Sequence, residues 1–158
     1  MRKRIVGSRR AQPAGESDQT WLDLKQIATV EVTSEDPRFP IECALSLNAG
    51  PGWRAGGAGE QRIRIVFDNP VSLHRMELRF HEPDTERTQE FTLRWSSASD
   101  GSAKEIVRQQ WNFSPTGSTT EIEHYVGALD AASVLELTIR PDLARPDAVA
   151  TLASWRVG

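Results

Sequence analysis

A tryptophan and an arginine that follow a Gly/Pro-rich loop are the residues best placed to do chemistry. Trp53 and Arg54 come directly after Gly50-Pro51-Gly52. An indole can stack on the apolar face of a sugar ring, and a guanidinium donates hydrogen bonds to hydroxyl or carboxylate oxygens. Alternatively, Trp53 packs under the loop as a structural anchor, because tryptophan is highly buried on average, and Arg54 is then the better ligand contact. In both cases the pair favours binding over catalysis.

The polar segment from residue 81 to residue 90 is a second candidate. It combines an imidazole, several carboxylates, an arginine and a glutamine. Each sugar hydroxyl is both donor and acceptor, so a saccharide site needs this mixture, although a solvated hairpin would have the same composition. We expect residues 36–40, 52–56 and 81–89 to meet at one end of the fold. The candidate ligand-binding residues are Arg38, Trp53, Arg54, His81, Glu82, Arg87 and Gln89, of which Arg87 and Gln89 lie closest to a predicted strand.

A third polar segment, Arg108-Gln109-Gln110, lies in the middle of an otherwise strand-like stretch. One interpretation is that this strand faces something polar, such as a ligand, a partner or buried water. The other is that Gln109 satisfies backbone groups inside the fold, which is an ordinary use of a buried amide. The residues alone do not separate the two.

The patterns typical of enzymes do not occur in this sequence. The three histidines lack metal-type spacing, and no G-x-S-x-G elbow, P-loop or G-x-G-x-x-G fingerprint is present. Glutamates could in principle pair as acid and base, as in a glycosidase, but carboxylates are too common for that to carry weight. We therefore predict no catalytic residue, no cofactor and no enzymatic activity.

Composition limits the class of protein and of partner. The 158 residues are 38% apolar and 26% charged, which suits one globular domain with its own core. A net charge of −3 gives no electrostatic reason to expect nucleic acid or an anionic membrane as partner. A single cysteine and a basic start without a following apolar segment lead us to expect a cytoplasmic location. We predict a flexible tail over residues 1–17 and one domain over residues 18–158.

Alternating apolar and polar residues predict about eight short strands. The pattern is clear at Arg62 to Phe67, where Ile63, Ile65 and Phe67 share one face. A turn is expected at Asp68-Asn69-Pro70 and a helical turn between Pro40 and Pro51. Many short strands at this spacing are typical of a sandwich or a barrel. The strands are predicted at residues 29–33, 62–67, 73–80, 91–95, 106–113, 119–126, 134–139 and 152–157.

The order of these motifs resembles the discoidin, or coagulation factor 5/8 type C, family over residues 28–157. Ala44-Leu45 leads through a polar loop into Trp53, and Gln61 to Pro70 reads Q-x-I-x-I-x-F-D-x-P. Ser96 followed by Asp100-Gly101 stands where the family has its S-x-D-G hairpin, and His124-Tyr125-Val126 lies near the family's R-Y-V-R strand. The resemblance implies an all-β, galactose-binding-like jelly-roll sandwich of two antiparallel sheets. Its members bind sugars, lipids or proteins through loops at one end, and few are enzymes.

One departure from the family concerns its structural calcium ion. Ser46 stands where the resemblance would place a carboxylate, and Leu152-Ala153-Ser154-Trp155 lacks the acidic residue expected near the last strand. Calcium prefers six to eight oxygen ligands with carboxylates among them. We therefore predict no metal site.

These observations lead to one predicted function and one alternative. The predicted function is a non-catalytic module that binds carbohydrate through loops at one end of the sandwich. The alternative is an intracellular protein-interaction or scaffold domain of the same fold.

Overall fold

Eight strands and two one-turn helices form the part of the chain that the structure describes, residues 21–48 and 50–158. The structure is a computed structural model. The predicted tail over residues 1–17 lies outside the described residues. The helices are α1 (Leu24–Ile27) and α2 (Glu42–Leu45); the strands are β1 (Ala28–Val32), β2 (Trp53–Ala58), β3 (Gln61–His81), β4 (Arg87–Ser97), β5 (Lys104–Phe113), β6 (Thr120–Arg140), β7 (Val149–Leu152) and β8 (Ser154–Val157).

The strands pair antiparallel into a six-stranded and a two-stranded sheet. The larger sheet has the order β1-β3-β6-β4-β5, with β8 also paired to β3, and the smaller sheet pairs β2 with β7. The predicted all-β class and antiparallel sandwich are confirmed. No helix among the described residues is long and apolar enough to cross a membrane.

Two long strands, β3 and β6, divide the larger sheet into two halves, which we call the two layers of the sandwich: one half contains β1, β4 and β5, and the other contains β8. Each long strand has 21 residues. Residues 63–67 of β3 pair with β1 and residues 61–66 pair with residues 134–139 of β6, whereas residues 76–81 pair with residues 120–125 of β6. β8 adds to the second half of β3 only. The pairing register shifts between Val66 and Arg75, which is where both strands pass from one layer to the other.

These long strands correct two predictions. Asp68-Asn69-Pro70 is not a turn that ends a strand, because β3 continues through it, and residues 119–126 and 134–139 are two halves of β6. Pro70 has no N–H to donate, and it lies where no ladder pair is made between Val66 and Val71. Turn-forming residues therefore mark a corner of the sandwich here. Conversely, the predicted strand over 152–157 is two strands, because the chain changes partner from β2 to β3 at Ala153.

The core lies between the two layers, on the faces that alternation predicted. Ile63, Ile65 and Phe67 of β3 are buried, as are Phe91 and Leu93 of β4. The layers meet in ring contacts such as that between Phe80 and Phe91, whose centroids are 5.2 Å apart. Other fully buried side chains on these faces are Leu78, Leu135, Leu137, Ile139, Trp155 and Val157.

Several loops converge at one end of the sandwich, which we call the loop end. It comprises residues 33–41, 82–86, 114–119 and 141–148, together with β2. Backbone hydrogen bonds join these segments: Asp36 N–H to the Arg54 carbonyl at 2.9 Å, Glu82 N–H to the Thr119 carbonyl at 2.8 Å, and Leu143 N–H to the Thr88 carbonyl at 2.9 Å. The first of these bonds joins two of the three segments that were expected to form a site, 36–40 and 52–56.

Candidate functional site

Arg54 projects from β2 at the loop end with its backbone fixed on both sides. Its N–H donates to the Phe39 carbonyl at 3.1 Å, and its carbonyl accepts from Asp36 N–H at 2.9 Å. The side chain is exposed. No hydrogen bond or ion pair with a described residue occupies its guanidinium. Arg54 therefore presents up to five N–H donors from a rigid strand.

The Arg54 backbone bonds the backbones of Asp36 and Phe39, which flank Arg38 in the same segment, and we call these four residues the Arg54 cluster. Arg38 binds Asp36 through two side-chain contacts, Nη2 to Oδ2 at 2.8 Å and Nε to Oδ1 at 3.2 Å. Its guanidinium lies 5.5 Å from the centre of the half-buried Phe39 ring. Hydrogen bonds from the Arg38 side chain and backbone lower the pKa of Asp36 to about 2, so this carboxylate stays ionised. Arg38 itself is 78% exposed.

Sequence reasoning did not select Asp36 or Phe39. Both lie in Asp36-Pro37-Arg38-Phe39-Pro40, a segment that was expected at the site but from which only Arg38 was selected. The two prolines do indicate an irregular segment, and an aromatic residue in an exposed break is a usable signal for a binding surface.

Trp53 does not form an aromatic platform. It is 1% exposed, and its Nε1–H donates to the Ser34 carbonyl at 3.2 Å. Trp53 pairs with Leu152 on the core side of the β2–β7 ladder. The anchor interpretation is therefore the one that agrees with the structure, and the predicted stacking on a ligand does not.

Arg87 is a buried connector rather than a surface contact. It is 3% exposed, and its Nε donates to Glu82 Oε1 at 2.9 Å. Nη1 donates to the Pro141 carbonyl at 2.8 Å and Nη2 to Thr151 Oγ1 at 3.3 Å. The guanidinium also covers the Phe113 ring at 4.9 Å. The predicted direct ligand contact does not agree with this burial, because every N–H-bearing arm of Arg87 already holds a neighbouring segment.

Gln89 is also buried, and it belongs to a polar group inside the sandwich. It is 0% exposed, and its Nε2 donates to Glu121 Oε1 at 3.4 Å. Burial first, and then the hydrogen bond and charge of Glu123, raise the pKa of Glu121 to about 9. Burial likewise raises the pKa of Tyr125. Gln89 therefore has no surface to offer a ligand.

The alternation of residues along β6 would assign the members of this buried group to the wrong face of the strand. Glu121, Glu123 and Tyr125 pair with Phe80, Leu78 and Met76 of β3, and directly paired residues share a face. Three polar residues thus lie on the inward face of β6. Alternation alone would assign them to solvent.

His81 and Glu82 differ in what they leave accessible. The His81 ring is exposed, with Nδ1 3.0 Å from Thr120 Oγ1. Glu82 is half-buried, and its Oε2 accepts from Asp84 N–H at 3.2 Å and Thr85 N–H at 3.3 Å. Glu82 therefore shapes its own loop, and His81 remains available for a ligand.

Thr151 connects the two halves of the predicted site. It lies opposite Arg54 in the β2–β7 ladder and accepts a hydrogen bond from Arg87. The structure thus brings Arg38, Arg54 and the segment 81–87 to the same end. Of the predicted residues, those with accessible side chains are Arg38, Arg54 and His81, with Glu82 partly accessible.

The polar centre of β5 is engaged within its own sheet. Gln110 Nε2 donates to Glu90 Oε2 at 3.3 Å, and Arg108 forms ion pairs with Glu90 at 3.7 Å and with Glu105 at 3.1 Å. Across residues 21–48 and 50–158, no group of three or more potential ligands among His, Cys, Asp and Glu is arranged to hold a metal ion.

No family model and no curated protein matches this sequence. Solved structures do match. The family 32 carbohydrate-binding module of Clostridium perfringens NanJ, solved with galactose, has a TM-score of 0.64 and 13% identity over 87% of this chain and 97% of that one. The family 32 module of AlyQ, solved with 4,5-unsaturated mannuronic acid, has a TM-score of 0.59 and 19% identity over 84% and 95%.

A third similar structure is module CBM32-3 of a family 31 glycoside hydrolase from Clostridium perfringens. Its TM-score is 0.62, with 15% identity over 92% of this chain and 98% of that one. At such identities the likeness concerns the fold. The fold of this chain is therefore the galactose-binding-like, or discoidin-like, β-sandwich that the order of its motifs resembles.

Proposed function

We propose that this chain is a non-catalytic carbohydrate-binding module whose ligand binds at the Arg54 cluster. The observation that carries the proposal is the exposed guanidinium of Arg54, which no described residue bonds, on a backbone that two hydrogen bonds hold beside the half-exposed Phe39. Support also comes from the similar structures, two of which were solved with a sugar or a sugar acid.

The chemistry of the Arg54 cluster suits a polyhydroxylated ring. Arg54 and the outer edge of Arg38 donate to sugar oxygens, and Asp36 has lone pairs left after its bonds to Arg38. The Phe39 ring offers an apolar surface to the sugar C–H groups. His81, at the neighbouring segment, adds a group that can donate or accept. Fixed backbone positions lower the entropy lost on binding.

Two carboxyl groups with shifted pKa values, Asp36 and Glu121, argue against catalysis. Asp36, with a pKa of about 2, cannot serve as a general acid near neutral pH. Glu121 has a pKa suited to holding a proton, but it is 0% exposed and a substrate cannot reach it. We expect no release of nitrophenol from a panel of p-nitrophenyl glycosides incubated with the protein. Sustained turnover would contradict this part of the proposal.

A glycan array tests the binding proposal directly. The array carries galactose, galacturonic acid, glucosamine and mannuronic acid glycans, and it is probed with the wild type and Arg54→Gln. We expect Arg54→Gln to weaken the signal about tenfold or more, since a hydrogen bond to a charged donor contributes about 1.5–3 kcal/mol.

Arg94→Gln is the matched control for this array. Arg94 is a partly exposed arginine with one long ion pair, to Glu136 at 4.0 Å, and it lies seven residues along β4 from Arg87. We expect it to bind like the wild type. A blank array with folded wild-type protein would reject the proposal and favour the protein-interaction alternative.

A further inference from the structure

A cleft of about 300 Å³ lies at the loop end beyond the Arg54 cluster. It separates the turn between β2 and β3 from the loop between β6 and β7. We call it the Arg145 cleft; its lining includes Glu60, Arg140, Asp142, Leu143, Arg145 and Pro146. This volume is at the lower end of the range for small-molecule sites, so the cleft has room for one small ring.

The lining combines donors, acceptors and apolar surface. Arg140 and Arg145 are about half exposed, each with one side held by a carboxylate: Glu90 at 3.7 Å for Arg140 and Asp142 at 3.9 Å for Arg145. Glu60 is an exposed carboxylate. Leu143 and Pro146 supply apolar contacts. Two positive and two negative groups line the cleft, so it suits hydroxyl groups rather than a strong anion.

The wall of the Arg145 cleft is held in place by hydrogen bonds. Ala144 N–H donates to Asp142 Oδ1 at 3.0 Å, and Leu143 N–H donates to the Thr88 carbonyl at 2.9 Å. Arg87 holds the Pro141 carbonyl, and Gly59 N–H donates to the Ala148 carbonyl at 2.9 Å. The loop between β6 and β7 is therefore preorganised, which lowers the cost of binding.

β2 runs from the Arg54 cluster to the cleft. Four residues lie between Arg54 and Gly59, a span of roughly 16 Å along a strand. Gly56, Gly57 and Ala58 are exposed, so no side chain larger than a methyl group rises from this part of the strand. The Glu35 backbone closes one side of Gly56, where a Cβ would lie 2.9 Å from the Glu35 carbonyl oxygen, whereas a Cβ at Gly57 would meet no atom within 4 Å. A ligand that spans both sites therefore passes over Gly57.

We propose that the Arg145 cleft is a second saccharide subsite, so that the module holds one sugar unit at the Arg54 cluster and another unit of the same oligosaccharide in the cleft. This inference rests on the proposed function. Once one sugar unit is bound at the Arg54 cluster, binding of the second unit in the cleft is intramolecular. The oligosaccharide therefore binds more tightly although the affinity at the Arg54 cluster is unchanged.

The test compares ligand lengths by calorimetry. The probes are β-1,4-linked tetrasaccharides of galactose, glucosamine and mannuronic acid, each beside its monosaccharide. We expect the wild type to bind at least one tetrasaccharide about tenfold or more tightly than the matching monosaccharide. Arg145→Gln should abolish most of this gain and leave the monosaccharide affinity unchanged, with Arg94→Gln as the matched control because its single ion pair, at 4.0 Å, has a similar length.

A second variant blocks the path without altering either end. Gly57→Phe puts a ring above β2, and the open space at Gly57 lets the fold accept it. It should reduce tetrasaccharide affinity toward the monosaccharide value. Equal affinities for both ligand lengths, unaffected by Arg145→Gln, would overturn the second subsite and leave the proposed function standing. Absence of binding to every probe, by folded protein, would overturn both.

Discussion

At the residue scale, three arginines of the loop end illustrate how burial determines role. Arg54 and Arg38 are exposed, whereas Arg87 is buried with four hydrogen-bonded partners. Sequence reasoning treated all three alike, because residue type and position in a polar segment do not report accessibility. Arginine is almost never fully buried unless it is paired, so the default expectation for Arg87 was a surface side chain. Arg87 contributes to the site indirectly, because its hydrogen bonds hold three segments of the loop end together.

Replacing Arg87 by alanine should destabilise the fold rather than merely remove a contact. The change leaves Glu82, the Pro141 carbonyl and Gln89 without their partner, and breaking a buried ion pair costs about 3–5 kcal/mol. Urea unfolding followed by tryptophan fluorescence measures the loss. Arg54→Ala, at an exposed position, should stay within about 0.5 kcal/mol of the wild type. Equal stability of the two variants would contradict the structural role of Arg87.

Glu121 makes stability depend on pH in a specified direction. Its pKa rises from 4.5 to about 9 on folding, so the folded state binds the proton more tightly. The stabilisation is fully present below pH 4.5 and is lost as the pH rises toward 9, by at most about 1.4 kcal/mol per pH unit. Glu121→Gln imitates the protonated carboxyl and removes this dependence.

Thermal unfolding between pH 4 and pH 9 tests this effect. We expect Glu121→Gln to match the wild type near pH 4 and to become progressively more stable than the wild type toward pH 9. Parallel stability profiles across the range would show that Glu121 does not hold a proton in the folded state.

At the element scale, β2 begins directly after a position that only glycine fits. Gly52 has a φ of +80°, and a Cβ there would lie 2.6 Å from the Leu152 carbonyl oxygen and 2.9 Å from Ala153 Cα. Both are backbone atoms at the junction of β7 and β8, so neither can move aside cheaply. This close approach places Trp53 under the loop and Arg54 on its surface.

Gly52→Ala should therefore destabilise the protein by roughly 2 kcal/mol or more, through both the left-handed backbone and the steric overlap. In differential scanning calorimetry this corresponds to a fall in Tm of several degrees. Gly57→Ala is the matched control, since its Cβ meets nothing within 4 Å. Comparable Tm values for both variants would contradict the close packing at Gly52.

The sequence predicted the elements well where one face is apolar and poorly at corners. Ile63, Ile65 and Phe67 mark their strand and their face correctly, because alternation follows directly from burial on one side. Asp68-Asn69-Pro70 marks a change of layer that looks locally like a turn. The inward position of Glu121 could not be predicted, because its buried hydrogen-bond partner is Gln89, which lies 32 residues away and on another strand.

At the scale of the whole molecule, β3 and β6 make the two layers mutually dependent. Each layer owes its central pairing to one half of these strands, so neither layer can separate without breaking a continuous strand. We expect one cooperative unfolding transition, with far-UV and near-UV circular dichroism giving the same midpoint in urea. Separate midpoints for the two signals would show that one layer unfolds alone.

The resemblance in motif order predicted the whole-molecule fold, whereas the composition of the loop segments predicted only the region of the site. Gly/Pro content and polar mixtures located the loop end, but the pairing of Asp36 with Arg38 and the Arg145 cleft depend on how loops distant in sequence pack together. The cytoplasmic location and the identity of the ligand stay predictions.

The two shared strands also determine when the chain can fold during its synthesis. Residues 61–66 cannot complete their pairing until residues 134–139 leave the ribosome, and residues 76–79 must wait for residues 154–157. Until then β3 presents unpaired edges and an apolar face to solvent or to chaperones. A nascent chain of this protein is therefore prone to aggregation from the synthesis of β3 until that of β8, and slow pairing between distant segments extends that interval.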